Sequence, residues 1–330
     1  MLSLETVNDF SELLKKKADW SGFVASLPQV TPFQLPVWLL TWWRHFGSGQ
    51  LCVFIFRSGR QIVAVVPCFR HEWDGKRQIT MIGSGISDYL EPGITGEHSR
   101  AVVEMLAEHL RCDREWDVCS WQDLNAATPL GSLPLDQDLA IGVEPETECT
   151  ETQIAGNFEH WWEQRPHGLR RNVRRYLEKA RSIAEPEFCI SSKAEPEIVN
   201  ALISLHAVRW ERHGRPGMIV ANKSGPFLRE AFDRFACAGM LSLFALRFQG
   251  KIVAVICSFP YRNRLFSYLS AFDPEYEIYG FGRLLLYYSM RYAFEEHYIG
   301  WNFLRGSEPY KFDWGARSIA KCRVIITRSA

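Results

Sequence analysis

An internal duplication constrains this chain more than any other feature. "LCVFIFRSGRQIVAVVPCF" (51–69) lies over "LSLFALRFQGKIVAVICSF" (241–259) without a gap, and eight of the nineteen positions are identical at an offset of 190. In a chain that is 47% hydrophobic a shared "IVAV" carries little weight by itself, and the ungapped flanks supply the rest. Each copy reads as a β-hairpin, with β-branched and aromatic runs on either side of a turn glycine in "RSGRQ" and "QGK".

The parallel continues downstream. "QITMIG" (78–83) and "LFSYLSAF" (265–272) each predict a third strand, followed by the turn-rich loops "SGISDYLEPGITGE" and "DPEYEIYGFG". Next come apolar-striped helices at 98–110 and 282–297, then short strands at 116–121 and 299–304. Upstream, "PVWLLTWWRHFG" (36–47) resembles "LISLHAVRWERHG" (202–214), each a helix closing on glycine. The second copy inserts one more helix, at 225–240. Hairpin, third strand and a β-loop-α-β crossover predict, for each half, a mixed and largely antiparallel sheet flanked by helices, an α/β (α+β) fold. The polar stretch 125–157 contains the junction, giving halves of 1–150 and 151–330.

Charge gives no global direction: 38 basic side chains balance 38 acidic ones, so nothing steers the whole protein to DNA or to a membrane surface. Nine cysteines form no CxxC pair and no Cys/His ligand cluster, so no metal is expected. They read as reduced, mostly buried thiols. With no basic-then-apolar leader and no apolar run of membrane-spanning length, the expected location is the cytoplasm. GxSxG, Walker A and strand-linked GxGxxG motifs are missing, which disfavours serine hydrolases, P-loop NTPases and dinucleotide dehydrogenases.

Three segments can carry chemistry. "EIYGFGRLLLYYSM" (277–290) opens a helix on Gly280 and Gly282 with Arg283 beside them, a start suited to phosphate. The first-copy loop spaces its glycines differently and carries Glu91 and Glu97, so an anion should prefer the second copy. "RPHGLRRNVRRYLEKARS" (165–182) places Arg170, Arg171, Arg174 and Arg175 within six residues, either a solvated helix face or a grip on a phosphate-bearing partner. "NFLRGSEPYKFDWG" (302–315) gathers Arg305, Glu308, Tyr310 and Lys311 at a strand end. Tyr310 or Glu308 suits proton transfer, and Lys311 or Arg305 suits an anion or a developing oxyanion. The alternative is a salt-bridged loop. His206 and Trp210, on the helix of 201–213, lack metal-ligand spacing and are either structural or further candidates for binding the acceptor.

Taken in order, "FQLPVWLLTWWRHFG", "LRRNVRRYLEKA", "SLHAVRWERHG", "YLSAFDPEYEIYGFGRLLL" and "FLRGSEPYKFDWG" resemble the GNAT-fold acyltransferases of the CelD group, the cellulose-biosynthesis proteins, which are related to the FemABX peptidyltransferases. The resemblance implies two tandem GNAT-like domains, the first degenerate and the second the acyltransferase. It implies acetyl-CoA or another acyl-CoA as co-substrate, with the pyrophosphate at Tyr279, Gly280, Phe281, Gly282 and Arg283 and the pantetheine arm beside Ala271 and Phe272. An amine would then attack the bound thioester directly. The acceptor is expected to be a small molecule or an envelope precursor such as an amino sugar, with its phosphates on the basic helix. Asp88 matches a recurrent aspartate of the family and is expected either to face the acceptor or to cap a loop. Two alternatives stay open: an aminoacyl-tRNA-dependent transferase of the FemABX kind, and a catalytically silent module that associates peripherally with a polysaccharide synthase. The oligomeric state and the acyl chain stay open as well.

Overall fold

A computed structural model of the chain describes residues 1–133, 139–212 and 224–328, with side chains 209–212 outside the description. The chain divides into two units, Met1–Thr147 with Ala320–Ala330, and Glu148–Ile319. The sequence places a single boundary near 150; the structure adds a second one at 319/320, where the last strand passes back to the first unit.

Unit 1 begins with β1 (Leu2–Val7), α1 (Phe10–Lys15), α2 (Lys17–Ser26) and α3 (Pro36–Phe46). The duplicated hairpin follows as β2 (Gln50–Ser58) and β3 (Gln61–Trp73), then β4 (Lys76–Met81), β5 (Gly93–Ile94), α4 (Ser99–Cys112) and β6 (Val118–Asn125). β7 (Leu139–Gln153) carries the chain into unit 2. There α5 (Phe158–Glu163), α6 (His167–Arg181), β8 (Glu187–Ser191), α7 (Pro196–Arg212) and α8 (Ser224–Cys237) precede the second copy of the hairpin. That hairpin is β9 (Ser242–Phe248) and β10 (Lys251–Tyr261), followed by β11 (Arg264–Phe272), α9 (Phe281–Glu295), β12 (Gly300–Arg305), α10 (Pro309–Asp313) and β13 (Arg317–Arg328).

Both sheets are mixed and largely antiparallel, flanked by helices, as the duplicated pattern predicts. In unit 1 the strands run β1-β2-β3-β4-β6-β13, and in unit 2 β7-β12-β11-β10-β9-β8. Each contains one parallel pair made by the crossover helix, β4 with β6 and β11 with β12. The β9–β10 turn is the dipeptide Gln249–Gly250, both at positive φ, as a tight two-residue hairpin requires. β7 escapes the sequence pattern because "EPETECTETQ" has no apolar alternation, and much of the strand is solvated.

The core of unit 2 is aromatic. Phe158, Trp161, Phe244, Trp301 and Trp314 pack with the apolar face of α9 in one cluster that also takes Leu169, Val173 and Ala180 from α6. Such rings bury large areas and fix their neighbours by edge and offset contacts. The Trp161 and Trp162 rings, for instance, lie 6.3 and 5.4 Å from Trp314. This packing holds α6 and α9 against the sheet.

Candidate active site

In unit 2, β11 and β12 part company. They pair at Arg264↔Gly300, Leu265↔Trp301 and Phe266↔Asn302, with no further pairing between them among the described residues. β11 stays with β10 out to Phe272↔Ala254, while β12 stays with β7 out to Arg305↔Cys149. Two irregularities accompany the separation. β11 bulges opposite Cys257/Ser258. β12 bulges between Asn302 and Leu304, with Leu304 at φ 60°. Asn302 holds the second bulge: its Oδ1 accepts from Leu304 N at 2.9 Å and its Nδ2 donates to Glu151 Oε2 at 3.0 Å. Glu151 also pairs with Arg264.

The wedge between the strands is a cavity of about 330 Å³. Ser267, Ser270, Ala271 and Phe272 of β11 form one wall, and Phe303, Tyr310 and Trp314 the other. Val255 and Ile256 of β10 also line it, with Phe281, Gly282, Arg283, Leu285 and Leu286 of α9, and Tyr176 of α6 closing one side.

One end of the wedge is the start of α9. A 3₁₀ turn, Pro274–Tyr279, leads into Gly280, the N-cap, at φ 58° and ψ 35°. That left-handed geometry favours glycine. Close packing adds a second reason, since a Cβ on Gly280 would come within 2.5 Å of the Tyr176 ring. The first-turn amides of a helix have no carbonyl four residues back, so they present donors and the positive end of the dipole. Arg283 stands on this turn, its Nη1 3.4 Å from the Tyr176 hydroxyl.

Helix α6 adds positive charge to the same end. It packs on α9 and on the 3₁₀ turn. Lys179 Nζ lies 5.5 Å from the centre of the Tyr279 ring, and the Arg175 guanidinium 5.2 Å from that of Tyr176. Helical spacing puts Arg175 and Lys179 on the Tyr176 side, and Arg170 and Arg174 on the far side of the buried Leu169–Val173–Ala180 stripe. Arg170 is half-buried and donates to Arg165 O at 3.1 Å, while Arg171 and Arg174 are exposed. The four arginines grouped by sequence therefore divide, and Arg175, joined by Lys179, lies on the Tyr176 side of the helix without itself lining the cavity.

At the other wall Tyr310 lines the cavity with its ring 6.3 Å from Phe303. Lys311 is turned inward. It is 3% exposed, and its ammonium donates to Arg305 O at 2.7 Å and Gly306 O at 3.0 Å and pairs with Glu308 Oε2 at 2.9 Å. This knot fastens the end of β12 to α10 and matches the salt-bridged-loop alternative for Lys311 and Glu308. Neither residue, nor Arg305, lines the cavity.

The remaining sequence candidates are elsewhere. His206 is buried on α7 and does not line the cavity. Trp210 is on α7 too, but its side chain falls outside the described residues. Asp88 belongs to unit 1, half-buried in the loop between β4 and β5. The sequence did not single out Tyr176, Ser267, Ser270, Phe303 or Trp314. Tyr176 was visible only as one member of an apolar stripe, and the others depend on where two strands stop pairing. Burial pushes the phenols of Tyr287 and Tyr288, further along α9, above their ordinary range. Among the described residues there is no cluster of three or more His, Cys, Asp or Glu able to hold a metal, and no helix long and apolar enough to cross a membrane.

Unit 1 treats the equivalent wedge differently. β4 and β6 pair only at Gln78↔Val118, Ile79↔Cys119 and Thr80↔Ser120. The strand that runs unbroken in unit 2 is here interrupted: β4 ends at Met81, and β5 resumes at Val65↔Gly93 and Ala64↔Ile94. These are the positions that, 190 residues on, pair as Val255↔Ala271 and Ala254↔Phe272. The intervening chain lies against β6, with Leu90 N donating to Asp123 O at 3.0 Å, and is tied to α3 by Trp38 Nε1 donating to Ser87 Oγ at 2.9 Å. In this copy the chain itself occupies the side of β6.

The Acetyltransferase (GNAT) domain family matches residues 167–312, which span α6 to α10. The crystal structure of FemX superposes with a TM-score of 0.66 at 11% identity, covering 93% of this chain and 95% of that one. A tandem GNAT protein from the clavulanic acid biosynthesis pathway gives 0.52 at 10% identity, covering 99% of each chain. L-PGS from Bacillus licheniformis gives 0.54 at 11% identity, over 91% and 94%. No curated protein matches the sequence. At these identities the structural likenesses establish the fold, two tandem GNAT-like units, and the stretch similar to the acetyltransferase (GNAT) domain lies within the second.

Proposed function

We propose that unit 2 is an N-acyltransferase that moves an acyl group from acyl-CoA to an amine. The observation that carries this reading is the shape and polarity of the β11/β12 wedge. A helix start with Arg283, flanked by Arg175 and Lys179, suits a pyrophosphate. The rest of the lining, as far as Tyr310, is largely apolar apart from Ser267, Ser270 and the carboxylate of Glu277. A long ligand with an anionic head and a reactive, less polar tail fits that order of groups.

In this reading the wedge holds the thioester beside β11, and the acceptor amine attacks its carbonyl carbon. The C–N bond forms, the C–S bond breaks and the thiolate leaves. Tyr310 supplies the proton to the departing sulfur, and a base or water takes the one lost by the amine. Glu308 and Lys311 act indirectly, by fixing the loop that positions Tyr310. The exposed Arg171 and Arg174 are left for phosphates of the acceptor, an amino sugar or other envelope precursor, in keeping with the CelD-like sequence pattern.

A second reading has an aminoacyl-tRNA as donor. It draws on the FemX fold likeness and on the run of arginines along α6. Binding of charged tRNA that weakens steeply with salt would favour it. Native mass spectrometry of the purified chain with a panel of acyl-CoAs tests the first reading. The expected result is one acyl-CoA bound per chain, followed by release of CoA when an amine acceptor is added. A chain that retains no acyl-CoA would overturn it, as expected of a silent accessory module.

A further inference from the structure

The two units differ chemically at one row of the sheet. In unit 2, β9, β10 and β11 carry Ser242, Ser258 and Ser267 in register. In unit 1 the same row, 190 residues earlier on the first two strands, is Cys52, Cys68 and Met81. There the Cys68 thiol lies 3.6 Å from Met81 Sδ and all three residues are buried. Sulfur faces sulfur in one copy, and hydroxyl faces hydroxyl in the other.

Directly opposed residues on antiparallel strands share a face, with Cβ atoms about 5 Å apart. Ser267 lines the cavity, so its partner Ser258 lies on the cavity face of β10, two residues from the cavity-lining Ile256. Ser258 is 0% exposed, and its Oγ has no hydrogen-bond partner among the described residues. Ser289 of α9 is in the same condition. It follows Leu285 by four residues and Leu286 by three, so it continues their cavity-lining face by one turn. Two unpartnered, fully buried hydroxyls, one from a strand and one from a helix, thus lie just behind the cavity lining, and Ser258 is paired across the sheet with the lining Ser267. Leaving a buried hydroxyl unpaired opposes folding, and such groups recur where a ligand completes them.

We infer that the inner end of the cavity selects an acyl group bearing a hydrogen-bonding substituent, a hydroxyl or an amino group, over a plain alkyl chain. This rests on the acyl-CoA reading above. Serine hydroxyls both donate and accept, so either substituent can pair with them. An alkyl chain leaves them unpaired, and polar sites reject ligands on that ground. The sulfur row of unit 1 offers no comparable partner.

Calorimetric titration of the full chain with CoA, butyryl-CoA, 3-hydroxybutyryl-CoA and 3-aminobutyryl-CoA tests this. One substituted ester should bind about tenfold more tightly than butyryl-CoA, the worth of one good hydrogen bond, and which one it is tells hydroxyl from amino recognition. Ser258→Cys, which installs the residue of unit 1 at nearly constant volume, should remove the preference, as should Ser289→Ala on the helix. Butyryl-CoA binding as tightly as both substituted esters would overturn the inference, and so would a preference that survives both substitutions. If neither CoA nor any ester binds, the acyl-CoA reading itself fails and this inference falls with it.

Discussion

The ring of Tyr176 fills the space in which a side chain on Gly280 would begin. Its Cδ2 stands 2.5 Å from that Cβ position, and the backbone there is left-handed. Helix α6 and the start of α9 are thereby fitted to each other. Gly280→Ala must pay for a left-handed alanine, about 1–2 kcal/mol, and must also displace the ring. Thermal melting should show a fall of more than about 4 °C. Tyr176→Ala in the same chain should restore part of the loss by removing the clash, with the backbone term remaining.

The positive charge of α6 should be divided by face. Arg175→Glu and Lys179→Glu, on the Tyr176 side, should each weaken CoA binding severalfold, with an effect that shrinks as salt is raised. Arg174→Glu, on the far side of the helix, should leave CoA affinity within about a factor of two. Equal losses from all three would mean that the helix acts only through its total charge.

Tyr310 and Lys311 are neighbours in sequence with opposite expected roles. Tyr310→Phe should lower kcat by about a hundredfold or more with little change in KM for the acyl donor. Lys311→Met should act on stability. It leaves two carbonyls and Glu308 without their buried donor, a loss of about 1–3 kcal/mol measurable by denaturant titration.

The cysteines should separate by burial. Cys112 and Cys237 are exposed and Cys189 is half-buried, whereas the other six are buried. Burial pushes the Cys52 thiol up to about 12 and those of Cys68, Cys119 and Cys257 well above their ordinary range. A thiol reagent at pH 8 should therefore label two sites promptly and a third slowly in the native protein. All nine should react in guanidinium chloride. Prompt native labelling of Cys52 or Cys257 would contradict the packing of the duplicated hairpins.

Most of the architecture was legible because the duplication repeats strongly patterned elements. β2, β3, β9 and β10 are almost continuously apolar, and α4 and α9 carry clear helical stripes. β7 and β8 were not legible, since solvated strands lack the alternation that announces them. The helix start at Gly280–Arg283 could be read from glycine and arginine chemistry alone. The wedge beside it could not, because periodicity says where a strand exists and nothing about where it stops pairing with its neighbour. The same limit concealed the division of the α6 arginines. Helical spacing places Arg175 and Arg174 on different faces, but only the packing of α6 on α9 shows which face meets the cavity. Lys311 illustrates the converse: a lysine at a strand end suggests anion binding, and its burial against two carbonyls is not announced by its place in the sequence.

On the proposed reading, the wedge between β11 and β12 receives CoA with its pyrophosphate at the start of α9. Isothermal titration of CoA into the wild-type chain and into Arg283→Glu tests it most directly. Saturable one-to-one binding that falls at least about tenfold in the variant, with an unchanged melting temperature, is the predicted result. Equal affinity in both proteins, or no binding to the wild type, would contradict it.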